Sequence, residues 1–132
     1  MTPSNKVQFE ARSVDCSEAL DWEILQVCLD SIDDPEYDES ESDRNTPYFF
    51  LSVNYEFDDR VSVEFHDGQG YDGGSIQSVE LWRTRMVAEL KQGSDFDISF
   101  AISDDSFQEL CHYLGIMLRK TRFINHSVAQ PN

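Results

Sequence analysis

The chain has 132 residues, 39% hydrophobic and 12% aromatic, which suits one domain around one apolar core and excludes a wholly disordered chain. It carries 26 acids against 10 bases, a net charge of −16, and such a field repels nucleic-acid phosphates and attracts basic partners. Cys16, Cys28 and Cys111 are an odd number at spacings that fit no zinc, redox or disulfide framework.

No stretch approaches the ~18 apolar residues of a membrane span, and Met1 to Lys6 lacks the apolar core of a signal peptide. The expectation is a protein of the reducing cytosol that engages neither membrane nor nucleic acid directly. The charge is uneven. Residues 1–75 hold 19 acids and four bases, a net of −15, whereas residues 76–132 hold seven acids and six bases, a net of −1.

In chain order, Val7, Phe9 and Ala11 alternate with polar neighbours, as in a strand with one buried face. Trp22 to Leu29 fits a buried strand, although Leu20, Ile24, Val27 and Cys28 also share a helical stripe; strand is preferred. Between Asp33 and Asp43 stand seven acids and no base, so about residues 33–46 form a solvated loop. In Tyr48 to Phe57, the residues Phe49, Leu51, Val53, Tyr55 and Phe57 alternate as one strand face. Phe57 to Arg60 then turns into Val61, Val63 and Phe65, with Ser62, Glu64 and a solvated His66 on the polar face.

His66 to Gly74 is the strongest loop signal, its glycines supplying positive φ. Ile76 to Trp82 and Met86 to Leu90 form a hairpin about Thr84, and Phe96, Ile98, Phe100 and Ile102 share a face of the next strand. Ser103 caps a helix with Asp104 and Asp105 in its first turn and Phe107, Leu110, Cys111, Leu114 and Leu118 as its apolar stripe. Arg119, Lys120 and Arg122 suit the helix end, and a frayed tail runs over about 124–132. The fold class is α+β: a single domain, a mostly antiparallel sheet with a C-terminal helix packed on it.

Catalytic and metal-binding readings are weak. The Asp67 to Gly70 loop lacks the Lys and the helix start of a phosphate cradle. As a calcium loop counted from Asp67, it places Ser78 where the bidentate Glu belongs. Cys111 lies on the apolar stripe, and His112 beside it points to another helix face. No catalytic residue, metal or cofactor is expected. The candidate partner-binding residues are the acids Asp33, Asp34, Glu36, Asp38, Glu39, Glu41 and Asp43 with Tyr37 among them, then Asp58 and Asp59, then Asp67, Gln69, Tyr71 and Asp72.

The ordered elements resemble a known family. Phe9-Glu10-Ala11 is followed by Asp34-Pro35-Glu36-Tyr37, then by Gly68-Gln69-Gly70-Tyr71 with Gly73-Gly74, then by Val79 to Arg83 and Met86 to Leu90. Phe96 to Phe100 and the Ser103 to Phe107 helix start complete the series. In this order the chain is similar to the immunity protein 10-like family of bacterial polymorphic-toxin systems. The resemblance implies a non-catalytic protein that binds and blocks a cognate toxin domain, and the charge suggests a basic toxin such as a nuclease. The alternative is an acidic nucleic-acid mimic or a general acidic protein-binding module, which would accept many basic partners.

Overall fold

Alternation of side chains sets the strands, and the order in which they pair sets the shape. The computed structural model describes residues 6–32 and 46–127. The strands are β1 (Lys6–Ala11), β2 (Ser13–Ala19), β3 (Ile24–Asp30), β4 (Tyr48–Asn54), β5 (Ser62–His66), β6 (Tyr71–Trp82), β7 (Arg85–Leu90), β8 (Asp95–Phe100) and β9 (Arg122–Asn125). One helix, α1 (Asp104–Met117), precedes β9. The sheet order is β1-β8-β7-β6-β5-β4-β3-β2, with β9 paired to β6. Only β1 with β8 and β6 with β9 are parallel; the other pairs are antiparallel. The α+β architecture is therefore as the sequence predicts.

β1 and β2 stand at opposite ends of this order yet are joined by the single residue Arg12, so the sheet curls until its ends meet. The Arg12 N–H donates to the Asp30 carbonyl at 2.7 Å and ties that corner to β3. β6 bends to make the curl possible. Its first part, Tyr71 to Ser75, pairs with β5, and its second part pairs with β7 and β9 across an irregularity between Ile76 and Ser78. Inside the curl, Phe96 of β8 packs on Phe49 of β4 and Phe65 of β5, with ring centroids 4.8 Å apart in both pairs. Leu25, Val27, Leu29, Leu51, Leu81, Met86 and Ile98 fill the rest.

α1 covers β2 and β3 with Phe107, Leu110, Tyr113, Leu114 and Met117. Ser103 caps it as predicted, its hydroxyl accepting the Ser106 N–H at 3.1 Å, and Asp104 and Asp105 occupy the first turn. Cys111 is half-buried, with Asn125 Nδ2 donating to its sulfur at 3.5 Å.

Several expectations need correction. β2 is an additional strand, because its inward positions carry Val14, Cys16 and Glu18 and give a faint apolar pattern. Trp22 to Leu29 resolves into a turn and β3. Phe57 is not on a strand face: β4 ends at Asn54, and Phe57 stands 82% exposed in the following turn. The predicted His66 to Gly74 loop shrinks to Asp67–Gly70, since Tyr71 to Gly74 belong to β6. Of its glycines only Gly68 has positive φ, +99°. Gly73 serves packing instead, for a Cβ there would sit 2.9 Å from the Val63 carbonyl oxygen. The described part of the predicted tail, residues 124–127, is structured: β9 pairs with β6, and the His126 ring stacks on Trp82 at 4.5 Å. Ile102 lies beyond β8.

Because Phe96 joins the two halves of the curl, Phe96→Ala should cost about 3–5 kcal/mol, measured by urea unfolding. A loss below ~1 kcal/mol would mean that the halves do not depend on this contact.

Candidate functional site

The registers place residues from five strands in rows on the convex face of the β2–β6 half, opposite buried Leu25, Leu51 and Val63. One row runs Ser13, Asp30, Tyr48, His66, Tyr71; the next runs Asp15, Cys28, Phe50, Glu64, Gly73. A third holds Ser17, Gln26, Ser52, Ser62 and Ser75. These rows contain three carboxylates and a cluster of aromatic rings, and no Lys or Arg occupies any position in them.

Tyr48 and Tyr71 flank His66 and lean together, their ring centroids 6.1 Å apart, and the Tyr71 ring meets His66 edge-on at 4.7 Å. They bury His66 to 1% exposure, which corrects the expectation of a solvated histidine. His66 Nδ1 accepts the Gly68 N–H at 3.0 Å, so it helps to shape the β5–β6 turn. Tyr71 itself is 56% exposed, an aromatic surface bordered by Glu64 and the turn acids.

Asp67 organises that turn. Its carboxylate accepts the backbone N–H groups of Gln69 at 2.8 Å and Gly70 at 3.0 Å, and these bonds hold its pKa below the ordinary Asp value. Asp72 faces the other side of β6 from Tyr71, where Asp67, Gln69 and Asp72 line a pocket of about 250 Å³ with Lys6, Val7, Phe65 and Ser94. The predicted Asp67, Gln69, Tyr71 and Asp72 are thus brought together at one end of the sheet, on its two faces.

The chain leaves β3 at this same end and rejoins at β4, where Ser31 N–H and hydroxyl both donate to the Pro47 carbonyl, at 3.3 and 2.7 Å. The predicted Asp33, Asp34, Glu36, Tyr37, Asp38, Glu39, Glu41 and Asp43 lie outside the described residues. Asp58 and Asp59 do not join the group. They sit in the β4–β5 turn at the opposite end, where Asp58 pairs with Arg60 at 3.4 Å and Asp59 with Lys120. Lys120 lowers the pKa of Asp59 through its hydrogen bond. What the sequence could not disclose is that Asp15, Asp30, Tyr48, Phe50 and Glu64 share one face, because four separate strands contribute them.

The convex face of the other half differs. There Arg85 donates to Asp97 at 2.6 and 2.8 Å, Lys6 approaches Asp97 at 3.9 Å, and His126 lies 3.0 Å from Glu80. On that side Asp97 and Glu80 have basic partners. No disulfide joins the three cysteines, and burial, reinforced by Glu109 and Asp15, pushes the Cys16 thiol up to about 12. Among the described residues, no group of three or more His, Cys, Asp and Glu is placed to hold a metal ion, and no helix is long and apolar enough to cross a membrane.

No protein-family model, curated protein or solved structure matches the chain. The family resemblance therefore rests on the ordered residue segments alone.

Asp67→Ala removes the acceptor of two backbone N–H groups and should lower Tm by roughly 2–4 °C at pH 7. The folded carboxylate has the lower pKa, so its stabilisation is complete above the ordinary Asp value of about 3.9 and is lost as pH falls through the folded value. Melting curves of both proteins should converge progressively below pH ~5; a gap independent of pH would assign the loss to packing instead.

Proposed function

We propose that the chain is an immunity protein of the bacterial cytosol that binds and neutralises a cognate toxin domain through the convex face of its β2–β6 half. The observation that carries the reading is the segregation of charge and aromatic surface. Asp15, Asp30 and Glu64 share a face with Tyr48, Phe50 and Tyr71, and no Lys or Arg occupies a strand position of that face. Carboxylates beside the exposed Tyr71 ring and the half-buried Tyr48 and Phe50 suit arginine, which pairs with acids and stacks on rings. A toxin that grips a nucleic-acid phosphate backbone carries such arginines and lysines, and an acidic cover competes for them.

Size is informative as well. With strands ~4.8 Å apart and ~3.3 Å of rise per residue, the three rows measure roughly 20 by 13 Å, about a third of the ~800 Å² that one partner buries in a standard interface. The remainder must come from its borders. The Asp67–Gly70 turn adjoins it, and the segment between Ile32 and Thr46, with seven acids in the sequence, departs from the same end.

The test is capture of tagged protein from nuclease-treated native lysate at moderate salt, followed by reconstitution of the captured partner. One stoichiometric partner whose toxicity the chain suppresses on co-expression is the expected result. A ladder of basic nucleic-acid-binding proteins fading together as salt rises would instead assign the chain as a general nucleic-acid mimic.

With that partner in hand, combining Asp15→Asn and Glu64→Gln should slow association about tenfold at low salt while changing dissociation less. Neutralising Asp38, Glu39, Glu41 and Asp43 together should act the same way. Unchanged association rates by surface plasmon resonance in both variants would remove electrostatic steering from the mechanism.

A further inference from the structure

β7 takes one edge of β6, so β5 and β9 share the other: β5 pairs with it as far as Ser75, and β9 takes it up at Ser78. Between those residues no described strand lies along that edge, and the pairing with β7 is irregular at the same place, between Ile76 and Ser78. The interval opens as a pocket of about 260 Å³. Its walls are the residues that lead into the two strands, Arg60 and Val61 before β5 and Lys120 and Thr121 before β9.

Val61 and Ile76 are buried and form an apolar floor, whereas Arg60, Lys91 and Lys120 stand exposed at the rim beside the hydroxyls of Ser75 and Thr121. The chain has 10 bases against 26 acids, yet three of those bases converge on this cavity, with Asp59 the one acid among the described residues that line it. Asp58 meets one guanidinium nitrogen of Arg60 at 3.4 Å, and Asp59 meets the Lys120 ammonium. A guanidinium and an ammonium each carry several N–H donors, so one carboxylate leaves the rest free for a ligand. Balancing the acids of the β4–β5 turn needs Arg60 and Lys120 alone. Lys91 comes from the β7–β8 turn and has no ion-pair partner among the described residues, so its place at the rim is not explained by that balance.

We propose that this pocket is a ligand site for a compact organic phosphate, its phosphate group held by Arg60, Lys91 and Lys120 and its carbon skeleton resting on Val61 and Ile76. Charge-assisted hydrogen bonds from several cations suit a dianion, and the apolar floor suits an ester rather than the bare ion. The volume lies near the lower end of small-molecule sites, roughly 300–1,000 Å³, which admits a small ester and excludes a polymer strand. The net charge of −16 does not oppose this, because the acidic field is screened beyond ~8 Å at physiological ionic strength while the rim bases would touch the ligand. Through Ser75 the pocket adjoins the serine row of the convex face, but it includes none of that face's carboxylates or rings and does not rest on the toxin reading.

The test is an NMR titration of the full chain with phenyl phosphate, beside inorganic phosphate and phenol, with ionic strength held constant by sodium chloride. Phenyl phosphate should shift the amides of residues 59–61, 75–76, 91 and 120–121 saturably, with a Kd of about 1 mM or below. It should bind at least about fivefold more tightly than inorganic phosphate, because its ring covers the apolar floor. Lys91→Gln should weaken it about five- to tenfold without changing Tm, since Lys91 is exposed and unpaired among the described residues, and Lys91→Arg should keep most of the affinity. Shifts that do not saturate, shifts centred elsewhere, or undiminished binding by Lys91→Gln would overturn the proposal. Equal affinity for inorganic phosphate would overturn it in favour of the free ion, and equal affinity for phenol in favour of a plain apolar cleft.

Discussion

The one-residue link at Arg12 is the constraint from which the rest of the architecture follows. Strands joined by so short a connection must end and begin at the same place, yet β1 and β2 occupy opposite ends of the strand order. The sheet can satisfy both conditions only by curling, and a curled sheet divides its side chains into one enclosed face and one convex face. The enclosed face has to be apolar along its length, as the buried positions of β3, β4, β7 and β8 are. The Phe49, Phe65 and Phe96 cluster is where the two halves of the curl meet. α1 is then needed over β2, an edge strand whose own side chains are too small and polar to seal the interior.

The same division frees the convex face from packing duties, so its composition can follow other requirements. On the β6–β9 side it is a mixed surface whose acids meet Arg85, Lys6 and His126. On the β2–β5 side it is acidic and aromatic. A protein in need of solubility alone has no reason to separate these patterns, since an interspersed surface of the same net charge serves as well. The separation concentrates the field in one direction, which is what steering a basic partner requires.

How much of this was legible in the sequence depended on how each residue's surroundings were made. β3, β4, β5, β7 and β8 announced themselves because each buries one face, so Leu25, Val27 and Leu29 or Phe96 and Ile98 alternate cleanly with polar residues. β2 and β9 did not, because Cys16 and Glu18 look like loop residues and Arg122–Asn125 is too short to show a period; β2 exists through pairing with the adjacent β3 and β9 through pairing with β6, far back along the chain. Phe57 continued the β4 alternation in the sequence but not in space, since Asn54 starts the turn by accepting the Phe57 and Asp58 N–H groups. The candidate site was half legible. Composition located the acidic loop and the β5–β6 turn, but only strand register brings Asp15, Glu64, Phe50 and Tyr48 onto one surface. Asp58 and Asp59, at the other end of the sheet from the Asp67 turn, are ion-paired with Arg60 and Lys120, which was equally invisible beforehand.

His66 ties these levels together. Its position on a polar strand face is a matter of local alternation, and its burial results from two tyrosines on neighbouring strands. Its Nδ1 accepts the Gly68 N–H, which requires that this nitrogen carry no proton. The β5–β6 turn that presents Asp67 and Tyr71 therefore depends on an imidazole buried beside the Tyr71 ring. One side chain thus joins strand register to turn geometry: the pairing that sets His66 between Tyr48 and Tyr71 also fixes where Asp67 and the exposed Tyr71 ring stand at the end of the sheet.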